Sequence, residues 1–140
     1  MDVEALEGSC VCGAVRYRAR VDLSSGTMRC NCTSCTKWGR WSVRAPVDAV
    51  AIVAGEDVVA LSAPNPYGVT RSCPKCGIKL FSYVEAPEAG GPCVNVNVRT
   101  LDGVDLHGVP VTWLDGRHDT WAPLGTAPHQ VPEPLRVTAP

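Results

Sequence analysis

No apolar run in this sequence approaches the ~20 residues that a helix needs to cross a bilayer. The longest runs only from Ala49 to Ala54, so no membrane-spanning helix is expected. The opening Met-Asp-Val-Glu-Ala-Leu-Glu has no basic-then-apolar signal pattern, and a cytoplasmic location is the expectation. An excess of either charge is also missing. Thirteen basic residues stand against fourteen acidic ones, for a net charge of −1. That balance supplies none of the positive field on which non-specific nucleic-acid or anionic-membrane binding relies, so neither is an expected partner. Finally, no long segment repeats its apolar residues with period 3.6, which argues against a helical architecture.

What the chain has is cysteine. Eight occur in 140 residues, and seven fall into tight groups: Cys10/Cys12, Cys30/Cys32/Cys35 and Cys73/Cys76. An even count raises the possibility of a disulfide framework. Spacing and compartment both oppose it, because neighbours this close rarely bridge and a reducing cytosol disfavours structural disulfides. A thioredoxin-like reading of Cys73-Pro74-Lys75-Cys76 is weaker still, since no βαβ pattern surrounds it. Metal binding is the stronger reading: thiolate sulfur selects zinc, copper(I) or iron–sulfur clusters over hard cations. A chain of this length suits one domain and can bury roughly 68–70% of its unfolded surface.

The order of the chain fills in a mainly β reading. Residues 1–7 read as a flexible lead-in. Gly8-Ser9-Cys10-Val11-Cys12-Gly13 is a ligand pair with glycine on both sides, able to fold tightly around an ion. Val15, Tyr17, Ala19 and Val21 alternate with Arg16, Arg18 and Arg20, the period-2 pattern of a strand with a solvated arginine face. Ser24-Ser25-Gly26-Thr27 is a turn into the cysteine triplet, and Trp38 and Trp41 after it are expected in the core. Val50–Val53 and Val58–Leu61, separated by Gly55-Glu56-Asp57, read as a hairpin. Ala63-Pro64-Asn65-Pro66 is a loop. Ile78–Val84, Cys93–Val98 and Val109–Leu114 are further strands. In the second of these, Val94, Val96 and Val98 share one face and Cys93, Asn95 and Asn97 the other. From Pro123 onward there are five prolines in eighteen residues, an extended or disordered tail.

Seven clustered cysteines divide into four and three. The glycine-flanked pairs Cys10/Cys12 and Cys73/Cys76 can close a four-thiolate tetrahedron that joins the two halves of the chain. Cys30, Cys32 and Cys35 are then left for a second ion. Three protein ligands on a tetrahedral ion leave a fourth position for water or substrate. Spacing alone leaves open whether that position is filled from elsewhere.

The succession of Gly8-Ser9-Cys10-x-Cys12-Gly13-Ala14-Val15-Arg16-Tyr17, the triplet with Gly39, Arg71-x-Cys73-x2-Cys76-Gly77, Thr100-Leu101-Asp102 and Trp121 resembles the glutathione-dependent formaldehyde-activating enzyme family, which includes the centromere protein V group. The resemblance spans roughly residues 5 to 122. It implies a β-tent of short antiparallel sheets holding two zinc ions per chain, with a domain over residues 8–122 and the tail from 123 to 140 outside it. It implies that Cys10, Cys12, Cys73 and Cys76 hold a structural ion and Cys30, Cys32 and Cys35 a catalytic one. The implied activity is that of a carbon–sulfur lyase joining formaldehyde to the glutathione thiol, with a small thiol and an aldehyde as partners. Two positions depart from the family pattern. Asn31 stands where histidine is usual, and Ser72 where an aromatic residue is usual.

Lys37, Arg40, Arg44 and Arg99 are candidate holders of substrate carboxylates, against the expectation that most Lys and Arg are solvated surface charge. Cys93 lies outside any metal-ligand spacing and reads as a free thiol packed as a small hydrophobe, against the alternative of a fourth zinc ligand. The rival reading from another class is a non-catalytic zinc-stabilised β scaffold for protein contacts.

Overall fold

The computed structural model describes residues 5–56, 59–61, 68–86 and 90–136; Val58 and the Ala63–Pro66 loop lie outside them. In chain order the strands are β1 (Ala5–Ser9), β2 (Arg16–Arg20), β3 (Thr27–Cys30), β4 (Ser42–Pro46), β5 (Val50–Ala54), β6 (Ala60–Leu61), β7 (Val69–Ser72), β8 (Lys79–Ala86), β9 (Gly91–Asn97), β10 (Pro110–Leu114) and β11 (Pro123–Pro128). One short helix, α1 (Thr33–Trp38), joins them. The chain is mainly β, as its patterning predicts. It divides into two compact units, Met1–Val21 with Arg44–Asp102, and Asp22–Val43 with Gly103–Pro140.

In the first unit, β1, β2 and β5 form an antiparallel sheet in that order. The expected alternation holds: Tyr17 and Ala19 are buried while Arg16, Arg18 and Arg20 are exposed. Residues 5–7, read as lead-in, instead begin β1, because their backbone pairs with Arg18–Arg20. A second run of strands has the order β9-β8-β7-β6, antiparallel throughout. The core here is built from Val15, Tyr17, Leu80, Phe81, Val94, Val96 and Val98, all at most 2% exposed. Tyr17 meets Phe81 edge-on, with ring centroids 5.4 Å apart. Each such side chain contributes about 1.5–3 kcal/mol through burial.

The expected hairpin between Val50–Val53 and Val58–Leu61 does not form. β5 pairs with β2, and β6 pairs with β7. Gly55, directly after β5, sits at φ 83°, and a Cβ there would lie 2.1 Å from the Ala14 carbonyl oxygen, so only glycine fits where the chain leaves that strand.

β9 alternates as predicted up to Asn97, but both of its faces are covered. Cys93 and Asn95 are buried, as are Val94 and Val96. The polar groups are satisfied: Arg44 Nε donates to Asn95 Oδ1 at 3.4 Å, and Asn97 Nδ2 donates to the Lys79 carbonyl at 2.7 Å. Val98, expected in the strand, opens a 3-10 turn, Val98–Thr100, capped by Asn97.

In the second unit, β10 lies between β3 and β11. β10 and β11 are antiparallel, whereas β3 and β10 run parallel from Thr27 opposite Val111 to Cys30 opposite Leu114. This sheet is therefore mixed, whereas the β1-β2-β5 sheet is antiparallel as expected. β3 and β10 come from distant segments, so no tight turn forces them to run antiparallel. Pro123–Pro128, inside the expected tail, forms the edge strand β11 with every residue exposed. Proline is tolerated at such an edge, where one side of the backbone needs no partner. Trp41 is buried, donates from Nε1 to Thr27 Oγ1 at 2.6 Å and packs on the His129 ring. Trp38, expected beside it in the core, ends α1 with 36% of its surface exposed. No helix among the described residues is long and apolar enough to cross a membrane.

Candidate functional site

The turn between β1 and β2 carries Cys10 and Cys12, and the turn between β7 and β8 carries Cys73 and Cys76. Gly13 and Gly77, at φ 77° and 79°, supply the left-handed backbone each turn needs. The four Sγ atoms lie within 4.8 Å of one another, with Cys12 Sγ 3.6 Å from both Cys10 Sγ and Cys73 Sγ. A tetrahedral zinc with Zn–S bonds of ~2.3 Å separates its sulfurs by about 3.8 Å, so the spacing fits the ion.

The backbone is arranged for thiolates. The Val15 N–H donates to Cys10 Sγ at 3.3 Å. N–H groups of Cys12 and Ile78 bring the Cys76 thiol down to about 6. Cys12 also receives an N–H, from Ala14, yet the adjoining Cys73 and Cys10 push it up to about 11. Four thiols this close cannot all ionise without a cation among them, a role that a divalent ion would fill.

The second group stands where β3 runs into α1. Cys30 ends the strand, Cys32 caps the helix, and Cys35 lies one turn in. Their three sulfurs also fall within 4.8 Å. Cys32 Sγ accepts the Cys35 N–H at 3.5 Å, as a capping side chain does, and Cys30 Sγ accepts the Cys32 N–H at 3.4 Å. Burial opposes ionisation of Cys32, but the Cys35 N–H and the Ser34 hydroxyl outweigh it and lower this thiol to about 7. Burial and the neighbouring Cys32 push Cys35 up to about 12, although Arg40 Nη1 approaches its sulfur at 3.9 Å. Gly39, left-handed at φ 73°, closes the helix with its N–H on the Cys35 carbonyl.

All seven predicted ligands are thus brought together, as a four and a three. Cys93 joins neither group and is a buried thiol. Among the proposed cations, Lys37 and Arg99 are exposed, Arg44 donates to Asn95, and Arg40 approaches the Cys35 sulfur.

Sequence reasoning noted Trp121 within the family resemblance and missed the segment before it, Asp115–Thr120. Asn31, between Cys30 and Cys32, donates from Nδ2 to Asp115 Oδ1 at 3.1 Å and accepts the Arg117 N–H on Oδ1 at 2.8 Å. Gly116 passes so near Cys30 that a Cβ would lie 2.4 Å from its sulfur. Asp119 and Trp121 both hold φ 57°, an uncommon conformation for residues with side chains. The signal available in sequence was the Asp115-Gly116 turn pair directly after the β10 pattern, followed by Arg117, His118 and Asp119.

Short strands presenting two cysteine groups at their turns, one of four and one of three, define a small β protein with two candidate soft-metal sites. Comparison with known families places the chain within that class. The model of the glutathione-dependent formaldehyde-activating enzyme family matches residues 5–114, and the chain belongs to this family. A structural-genomics crystal structure of a Rhodobacter sphaeroides protein has the same fold, with a TM-score of 0.60 and 24% identity over 71% of this chain and 91% of that one. No curated protein matches the chain in sequence.

Proposed function

We propose that this protein is a zinc-dependent carbon–sulfur lyase that forms and cleaves the S-hydroxymethyl adduct of glutathione or a similar small thiol. The observation that carries this reading is the three-sulfur group of Cys30, Cys32 and Cys35, which no fourth Cys, His, Asp or Glu joins among the described residues. Three protein ligands are the donor set of catalytic zinc, and four are that of structural zinc. Zinc held by the triplet would stabilise a substrate thiol as its thiolate and polarise a carbonyl oxygen.

The chain's own residues do the rest. Cys30, Cys32 and Cys35 hold the ion, and N–H groups from Cys32 and Cys35 orient two of the sulfurs. Arg40 lies at the Cys35 side and Lys37 is exposed on α1, where either can receive a substrate carboxylate. Cys10, Cys12, Cys73 and Cys76 hold the second zinc and secure the fold. All eight cysteines are unbridged, which suits a reducing compartment such as the cytoplasm. The working unit is residues 8–122.

Metal analysis of protein purified without added metal tests this, with an expected value near two zinc ions per chain. Glutathione added to cobalt-substituted protein is expected to change the thiolate-to-cobalt absorption of one site only. A reproducible content of one ion with the triplet thiols free to react would remove the reading.

A further inference from the structure

We propose that His118, oriented by Asp115, is the proton-transfer residue of the three-cysteine site, taking the proton from the entering thiol and delivering it to the carbonyl-derived oxygen. The inference rests on the lyase reading above. In that reaction a sulfur–carbon bond forms and the carbonyl π bond breaks with its electron pair going to oxygen. The proton that left sulfur ends on that oxygen. Nothing is oxidised or reduced, but a group must carry the proton, and none of the three cysteines can do so while ligating an ion.

The geometry supplies one. His118 Nδ1 lies 2.9 and 3.0 Å from the two oxygens of Asp115. An ionised carboxylate accepts only, so Nδ1 carries the hydrogen, and in the neutral ring Nε2 bears the lone pair, away from Asp115. The two partners sit differently. The Asp115 side chain is 13% exposed and that of His118 is 70% exposed, so a sunken carboxylate holds an imidazole that substrate can reach. Asn31 and then His118 keep the Asp115 carboxyl below the usual carboxylate range. Arg117 and Asp119 are the charged groups beside the ring in the chain.

Two further observations tie this pair to the metal site. Asn31, flanked by Cys30 and Cys32, grips both Asp115 and the Arg117 N–H, and Gly116 abuts the Cys30 sulfur. The segment is also held in a costly conformation. N–H groups of Thr120 and Trp121 fold back onto the Asp115 carbonyl at 3.3 and 3.0 Å, with Asp119 and Trp121 left-handed. Such backbone persists where the surroundings enforce it, and it clusters at functional sites. An exposed ion pair contributes little to stability, which leaves that reason for holding it weak.

The test uses the two-metal protein with glutathione and carbon-13 formaldehyde, reading adduct exchange by magnetisation transfer across pH. His118→Gln is expected to keep both metals, the melting temperature and the thiol-induced cobalt spectrum. Its catalysed exchange should fall about 100-fold, the lower end of what general acid–base groups contribute, and the pH limb due to imidazole should flatten. In His118→Ala, added 4-methylimidazole should restore part of the rate. An active wild type with an equal His118→Gln rate overturns the proposal alone. A wild type that gives the thiol-induced spectrum but no exchange above the uncatalysed rate overturns the lyase reading and this proposal with it.

Discussion

Gly116 is a glycine for reasons of space, since its φ is not left-handed and only crowding explains it. A Cβ there would lie 2.4 Å from Cys30 Sγ and 3.0 Å from the Trp121 ring. Gly125, on the exposed edge strand, has nothing within 4 Å. Gly116→Ala is therefore expected to displace the Cys30 sulfur and bring zinc content from two ions towards one, while Gly125→Ala leaves it at two. Metal analysis of the two variants side by side decides this; equal contents would mean that the loop shifts to relieve the clash. At this scale the cysteines were legible because ligand spacing is local, set by a few bonds of backbone. The grip of Asn31 on Asp115 was not, since 84 positions separate the pair and neither residue type announces it.

At the scale of elements, the four-cysteine group fastens the β1–β2 turn to the β7–β8 turn within one unit, whereas the triplet lies within a single strand-to-helix junction. Loss of a ligand should cost accordingly. Structural zinc contributes apparent free energies of about 10–16 kcal/mol in zinc-finger peptides at neutral pH, a scale comparable with the whole stability of a small domain. Cys10→Ser and Cys73→Ser are expected to cripple folding, and Cys35→Ser to leave a folded chain with one zinc. Thermal melts and soluble yields measure the difference, and equal losses in all three variants would contradict the division. β2 was readable because one buried face forces period-2 alternation, and β8, β10 and most of β9 because short runs rich in β-branched and apolar residues favour strand. α1 was not, because six residues span under two turns and give periodicity nothing to repeat. Nor was the pairing of β5 with β2 and of β6 with β7, because a strand pattern marks a strand without naming its neighbour. β11 hid among prolines, which edge strands tolerate.

For the whole molecule, the four-plus-three partition implies two ions of unequal lability, and this is what separates an enzyme from a zinc-stabilised scaffold. A closed four-thiolate site gives a chelator no position to attack until a sulfur has left. A three-thiolate site exchanges its fourth ligand freely, and a chelator can enter there first. Extraction with a chromogenic chelator is expected to be biphasic, one zinc per chain leaving quickly and one slowly. Glutathione, competing for the same fourth position, should slow the quick phase and leave the slow phase untouched. The pH dependence has a definite sign. Burial and crowding hold Cys35 at about 12 and Cys12 at about 11 without metal, so ion binding displaces protons from thiols that retain them strongly. Lowering pH therefore favours the metal-free thiols and should speed both phases. Two slow phases, indifferent to glutathione at every pH, would mean that both ions are enclosed and the molecule is a scaffold.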